Sequence, residues 1–164
     1  MKQLKIITNP NPILRKKSEN VPVAKIVTKE FQELLLNMFD IMISKDGVGL
    51  AAPQIGKNIR LAVINTKEGP VYLINAKIVK KSLLKEWGEE GCISIPNVFG
   101  EVRRHKSVVC KYVNKEGKNS ELKADGLMAR VIQHELDHLD GVLFIDTAKN
   151  IKTLESKERI TRNA

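Results

Sequence analysis

The 164-residue chain is short of cysteine, aromatic residues and histidine. Its two cysteines, Cys92 and Cys110, are too few for a disulfide framework and fit a reducing, cytoplasmic setting. Aromatic residues make up 4% of the chain, which leaves little to stack on bases and argues against sequence-specific or single-strand nucleic-acid readout. No apolar run approaches the roughly 18 residues of a membrane span. The first residues, Met1 to Thr8, carry charge without a long apolar stretch, so no secretory signal is read. No internal repeat or low-complexity segment is visible.

The composition is that of an ordinary globular protein, with 42% hydrophobic and 29% charged residues, and the length suits one domain over 1–164. The net charge of +9 fits a solvated lysine-rich surface, or approach to a polyanion such as ribosomal RNA. Residues 149–164 form a basic C-terminal tail with Lys149, Lys152, Lys157, Arg159 and Arg162. This tail reads as a frayed helix or a disordered segment, and as a candidate ribosome contact.

Along the chain, Pro10, Pro12 and Pro22 predict an extended, turn-rich N-terminal segment. Thr28 is a candidate N-cap for a helix ending near 44–46, with Phe31, Leu34, Leu35, Met38 and Met42 at helical spacing. The run Gly47 to Gly56 breaks every periodicity. It is small and apolar, allows close backbone approach, and lacks the Lys-Ser/Thr ending of a phosphate loop. Short strands are expected at 60–66, 71–75, 77–80, 101–104, 107–113 and 120–124, with a turn at Glu68-Gly69-Pro70 and a hairpin loop over Asn114–Lys118. Asp125 is placed to cap a helix over 126–140, which Gly141 would end.

That last helix carries the chemistry. His134 and His138 stand four residues apart, so both imidazoles leave one face and can close on a single cation. Glu135 is offset around the axis, placed to reach a water rather than the metal, in the His-Glu-x-x-His pattern. Leu127, Val131, His134 and His138 continue one stripe, which puts the helix in the core. The expected architecture is α+β, with mostly antiparallel strands wrapped around a buried metal-bearing helix. A catalytic site needs a third protein ligand and an open position. His105 has three cationic neighbours, Arg103, Arg104 and Lys106, which disfavour a dication. Cys110 reads as a small buried hydrophobe in a strand. Cys92, in a bend between Gly91 and Ser94, reads either as a buried thiol or as the thiolate completing a Cys-His-His set.

Three stretches together resemble the peptide deformylase family: Gly47-Val48-Gly49-Leu50-Ala51-Ala52-Pro53-Gln54, Glu90-Gly91-Cys92-Ile93-Ser94 and Gln133-His134-Glu135-Leu136-Asp137-His138. The resemblance implies removal of the formyl group from the N-terminal formylmethionine of newly made polypeptides. It implies Cys92, His134 and His138 as metal ligands, with attack by a metal-bound hydroxide and Glu135 as general acid/base. Gln54 and the backbone N–H of Ile93 would polarise the formyl oxygen, and Gly49 would offer backbone to the peptide. The implied metal is one divalent ion, ferrous iron in the cell, with zinc, nickel or cobalt possible in preparations. Val48, Leu127, Val131 and the ring of His134 are the candidate methionine pocket. Arg130 departs from the family there, where an apolar residue is common; its stem is expected to line the pocket with the guanidinium at the rim. Glu90 is expected to pair with Arg104 and hold the Cys92 loop.

Three other readings remain open on sequence alone, one of them a family member with intact ligands that deformylates poorly because Arg130 stands in its pocket. A generic zinc endopeptidase would need a ligand after His138, where Asp140 and Asp146 have plain helix-end or turn explanations. A basic RNA-binding module with a structural metal would lack the open coordination position.

Overall fold

The computed structural model describes residues 4–154. Its architecture is α+β. A five-stranded antiparallel sheet has the order β1-β2-β3-β6-β7, from Gly49–Ala51, Leu61–Thr66, Gly69–Lys81, Ser107–Val113 and Asn119–Asp125. A three-stranded antiparallel sheet has the order β4-β5-β8, from Lys85–Cys92, Ile95–His105 and Lys149–Thr153. A single helical turn, α1 (Val23–Ile26), precedes α2 (Lys29–Ile43), and α3 (Gly126–Leu139) follows β7.

β2 explains how the layers form. Its first four residues, 61–64, are apolar without alternation because both faces of the sheet are covered there. Leu61 and Val63 join the cluster under α2 with Leu35, Met38 and Met42, while Ala62 and Ile64 join the cluster under α3 with Ile132, Leu136 and Leu139. α2 begins as expected: the Thr28 hydroxyl accepts from Phe31 N at 3.4 Å, and Phe31, Leu35, Met38 and Met42 are buried. A third cluster, with Leu14, Val102, Leu143 and Phe144, lies under the three-stranded sheet. α3 is therefore sandwiched, with most of its side chains buried.

Several boundaries differ from the sequence reading. The segments 71–75 and 77–80 are one strand, β3, interrupted by bulges; Asn75 turns to a φ of 53° and its amide grips Val21 N and O, each at 2.8 Å. The first hairpin turns at Lys67-Glu68, with Gly69 and Pro70 already inside β3. β4 was not expected, and β5 starts at Ile95 rather than 101. Asp125 occupies the N-cap of α3 but makes no capping bond, because it still pairs with Ser107 at the end of β7. Within the basic tail, 149–153 form neither helix nor loose chain but strand β8 on β5; 155–164 lie outside the described residues.

No helix among the described residues is long and apolar enough to cross a membrane.

Candidate metal centre

Three separate pieces of chain meet at the histidine face of α3. β1 delivers Gly49, the 3-10 turn after it (Ala52–Ile55) delivers Gln54, and the end of β4 delivers Cys92. Cys92 Sγ lies 3.2 Å from His138 Nε2. Ligand atoms of Cys92, His134 and His138 all fall within 4.8 Å of one another. The imidazoles of His134 and His138 meet edge to face, with centroids 5.0 Å apart. His134 also stacks on Phe144, a contact from the far end of the chain that no local sequence signal announces.

Glu90 fixes the first histidine. Its Oε2 accepts from His134 Nδ1 at 2.9 Å, which leaves Nε2 of that ring for a ligand. The same carboxylate accepts from Arg104 Nε and Nη2 at 2.9 and 3.0 Å, so the expected Glu90–Arg104 pair is present and bidentate. Arg104 also pairs with Asp137, one residue before His138. Burial opposes ionisation of Glu90, but its bonds to His134 and Arg104 outweigh that and hold its carboxyl well below the usual range.

Arg130 is a correction. Its guanidinium is not at the rim of a pocket but buried beneath β4 and β5. Nη1 donates to Glu90 Oε1 and to Val102 O, each at 2.9 Å, and Nη2 donates to Glu86 O at 3.2 Å. Two features cause this. The buried Glu90 charge calls for a second cation, and Gly88 clears the space: a Cβ there would sit 2.8 Å from the Arg130 guanidinium carbon. The cluster thus balances two carboxylates, Glu90 and Asp137, against two guanidiniums, Arg104 and Arg130.

The donor set fits a divalent cation. One sulfur and two imidazoles fill three of the four positions of a borderline-soft tetrahedral shell and leave one open. Burial keeps His138 neutral, down to about 3, which is the form that ligates. Burial alone would also neutralise His134, yet the Cys92 sulfur and the carboxylates of Glu90 and Glu135 push it up to about 10; that field favours a positive charge where the three donors meet. Two buried polar atoms beside the trio have no hydrogen-bond partner, Glu135 Oε2 and His138 Nδ1. His105 lies elsewhere, its Nδ1 2.6 Å from Ser82 O, and Cys110 is fully buried in β6.

Around the trio the groups are polar and constrained. Gln54 is buried; its Oε1 accepts from Ala51 N at 2.8 Å, which aims Nε2 at Cys92 Sγ and Ser94 Oγ, 3.4 and 3.2 Å away. Ser94 was not among the expected site residues, although it stands inside the second motif. Burial pushes the Glu135 carboxyl up to about 7. Gly49 is there because nothing larger fits: a Cβ would collide with the Glu135 carboxylate. Gly49, Gln54, Cys92, His134 and Glu135 line a cleft of about 750 Å³ whose walls include Val48, Ile93, Leu127, Arg130 and Val131. Leu127 does not continue the buried stripe; it is 71% exposed at the cleft mouth, one residue into α3, before the helix enters the core.

Residues 3–154 match the family model described as polypeptide deformylase. The chain is 42% identical over 152 residues to the peptide deformylase of Desulforudis audaxviator, covering 92% of this chain and 97% of that one. It is 47% identical over 148 residues to the peptide deformylase of Thermoanaerobacter pseudethanolicus, covering 90% and 91%. The crystal structure of peptide deformylase from Thermotoga maritima superposes with a TM-score of 0.86 at 39% identity, covering 91% of this chain and 99% of that one. The motif-bearing helix, the thiol beside it and these likenesses along nearly the whole sequence lead to one conclusion: the chain belongs to the polypeptide deformylase family, an enzyme family of metallohydrolases.

Proposed function

We propose that this protein, as a single catalytic domain, removes the formyl group from the N-terminal formylmethionine of newly made polypeptides. One observation supports the reading above the rest. The Cys92, His134 and His138 donors converge on one point, with Cys92 and His134 lining an open cleft alongside Glu135 and Gln54 and His138 buried behind them.

In this reading Cys92, His134 and His138 hold one divalent ion, ferrous iron in the cell, and the same donors accept zinc, nickel or cobalt. Such an ion, when bound, lowers the pKa of a water ligand from 15.7 towards about 7. The residues of the chain do the rest. Glu135, with a carboxyl pushed up to about 7, takes a proton from the attacking water as oxygen bonds to the formyl carbon. Gln54 Nε2 and the Ile93 N–H donate to the formyl oxygen as negative charge grows on it; Gln54 is pinned by Ala51, so its amide is aimed before substrate arrives. As the C–N bond breaks, Glu135 passes the proton to the departing amine and formate leaves. Gly49 offers its backbone to the peptide. Val48, Leu127, Val131 and the buried stem of Arg130 line the methionine pocket. The basic tail would bring the enzyme to the ribosome in the cytoplasm.

The test is anaerobic purification, metal analysis and assay on formyl-Met peptides with the same sample. One metal per chain and release of formate are expected. Glu135→Gln should keep metal and fold while losing about 100- to 10,000-fold in kcat/KM. Full activity in that variant, or no formate from the wild type loaded with iron, would overturn the reading.

A further inference from the structure

Opposite the histidine face, α3 turns Gln133, Leu136, Asp137 and Asp140 towards a second concavity of about 710 Å³. It shares no lining residue with the metal-centre cleft. Seven lysines and arginines line it against two aspartates. Both aspartates are already engaged, Asp140 by Arg60 at 2.8 Å and Asp137 by Arg104. That leaves Lys17, Lys77, Lys81, Lys85 and Arg103, all exposed and with no acidic partner among the described residues. These five come from four separate elements: the N-terminal segment, β3, β4 and β5. Like charges gathered from distant sequence into one hollow repel each other, a cost that a bound anion would remove. No Phe, Tyr or Trp lines the groove, which disfavours readout by base stacking.

We propose that this groove binds a run of phosphate groups, read by charge and spacing and not by base. The source is either the backbone of an RNA or a free polyphosphate. The occupant would sit on the far side of α3, so the substrate cleft stays open while it is bound. The proposal stands apart from the deformylation reading, since its test measures binding and not turnover.

The experiment titrates the full-length, metal-loaded protein with a labelled RNA duplex and, separately, with tripolyphosphate, at several salt concentrations. Binding of RNA alone identifies the backbone as the source, and binding of tripolyphosphate alone identifies the free anion. For five engaged cations on RNA, the log–log salt slope should lie between about −3.5 and −4.5. The triple variant Lys77→Glu, Lys81→Glu, Lys85→Glu should bind at least about tenfold more weakly with a slope shallower by about 2 to 3, and should keep its activity on a short formyl-Met peptide. A control of equal net charge, Lys115→Glu, Lys118→Glu, Lys123→Glu on the β6–β7 hairpin, should bind like the wild type. The proposal is overturned if neither probe binds, if the groove variant binds like the wild type, or if the control loses as much.

Discussion

Arg104 is the residue on which most of the buried charge depends. It touches Glu90 twice and Asp137 once, and through Glu90 it orients His134. Arg104→Ala would leave the buried Glu90 carboxylate with Arg130 and His134 only. Removing one partner of a buried pair costs about 3–5 kcal/mol, and the remaining partners place this case near the lower figure. The urea midpoint should fall, and metal retained after dialysis should fall with it; unchanged metal content would refute the orienting role. This pair was legible in the sequence as opposite charges flanking the Cys92 loop. The burial of Arg130 was not. It depends on Gly88 lying over it and on Glu90 having room for two cations, and both are facts of tertiary packing.

At the scale of elements, α3 and its stop were readable because periodicity and the terminal glycine agree. Gly141 has a φ of 75°, and a Cβ there would strike the Arg15 carbonyl. Gly141→Ala should therefore destabilise by about 1–2 kcal/mol from the backbone alone, with the collision adding to it. A thermal melt checks this; an unchanged midpoint contradicts it. β4 was hidden for the opposite reason. Lys85-Glu86-Trp87-Gly88-Glu89-Glu90-Gly91 has two glycines and three glutamates, poor strand formers that are held by pairing with β5. β8 was hidden likewise, as five exposed residues on the edge of the smaller sheet.

The turn just before β8 is tied by an ion pair. Arg15 donates to Asp146, whose side chain also accepts from Leu143 N at 2.9 Å. The Arg15 guanidinium holds the Asp146 carboxyl below the usual aspartate range. A carboxyl depressed in the folded state stabilises above its unfolded pKa of about 3.9, and that contribution disappears as the pH falls through the lower folded value. The pair is partly exposed, so the effect is small, below about 1 kcal/mol. The melting temperatures of wild type and Asp146→Asn should differ most near neutral pH and converge towards pH 3. A gap that widens on acidification would contradict the assignment.

The whole molecule is a scaffold that brings one thiol from the end of β4 against two histidines from α3, with a five-stranded sheet behind and a three-stranded sheet in front. The α+β class was legible because the apolar spacing of both long helices and most strands is regular. The convergence itself was legible only through the resemblance of the three motifs to the family, since Cys92 and His138 are separated by 46 residues and no local pattern brings them to 3.2 Å. X-ray absorption on the metal-loaded protein tests that convergence most directly. The account predicts one sulfur at about 2.3 Å and two nitrogens at about 2.0–2.1 Å, with the sulfur signal absent in Cys92→Ala. A coordination shell without sulfur in the wild type, or one that keeps its sulfur when Cys92 is replaced, would contradict it.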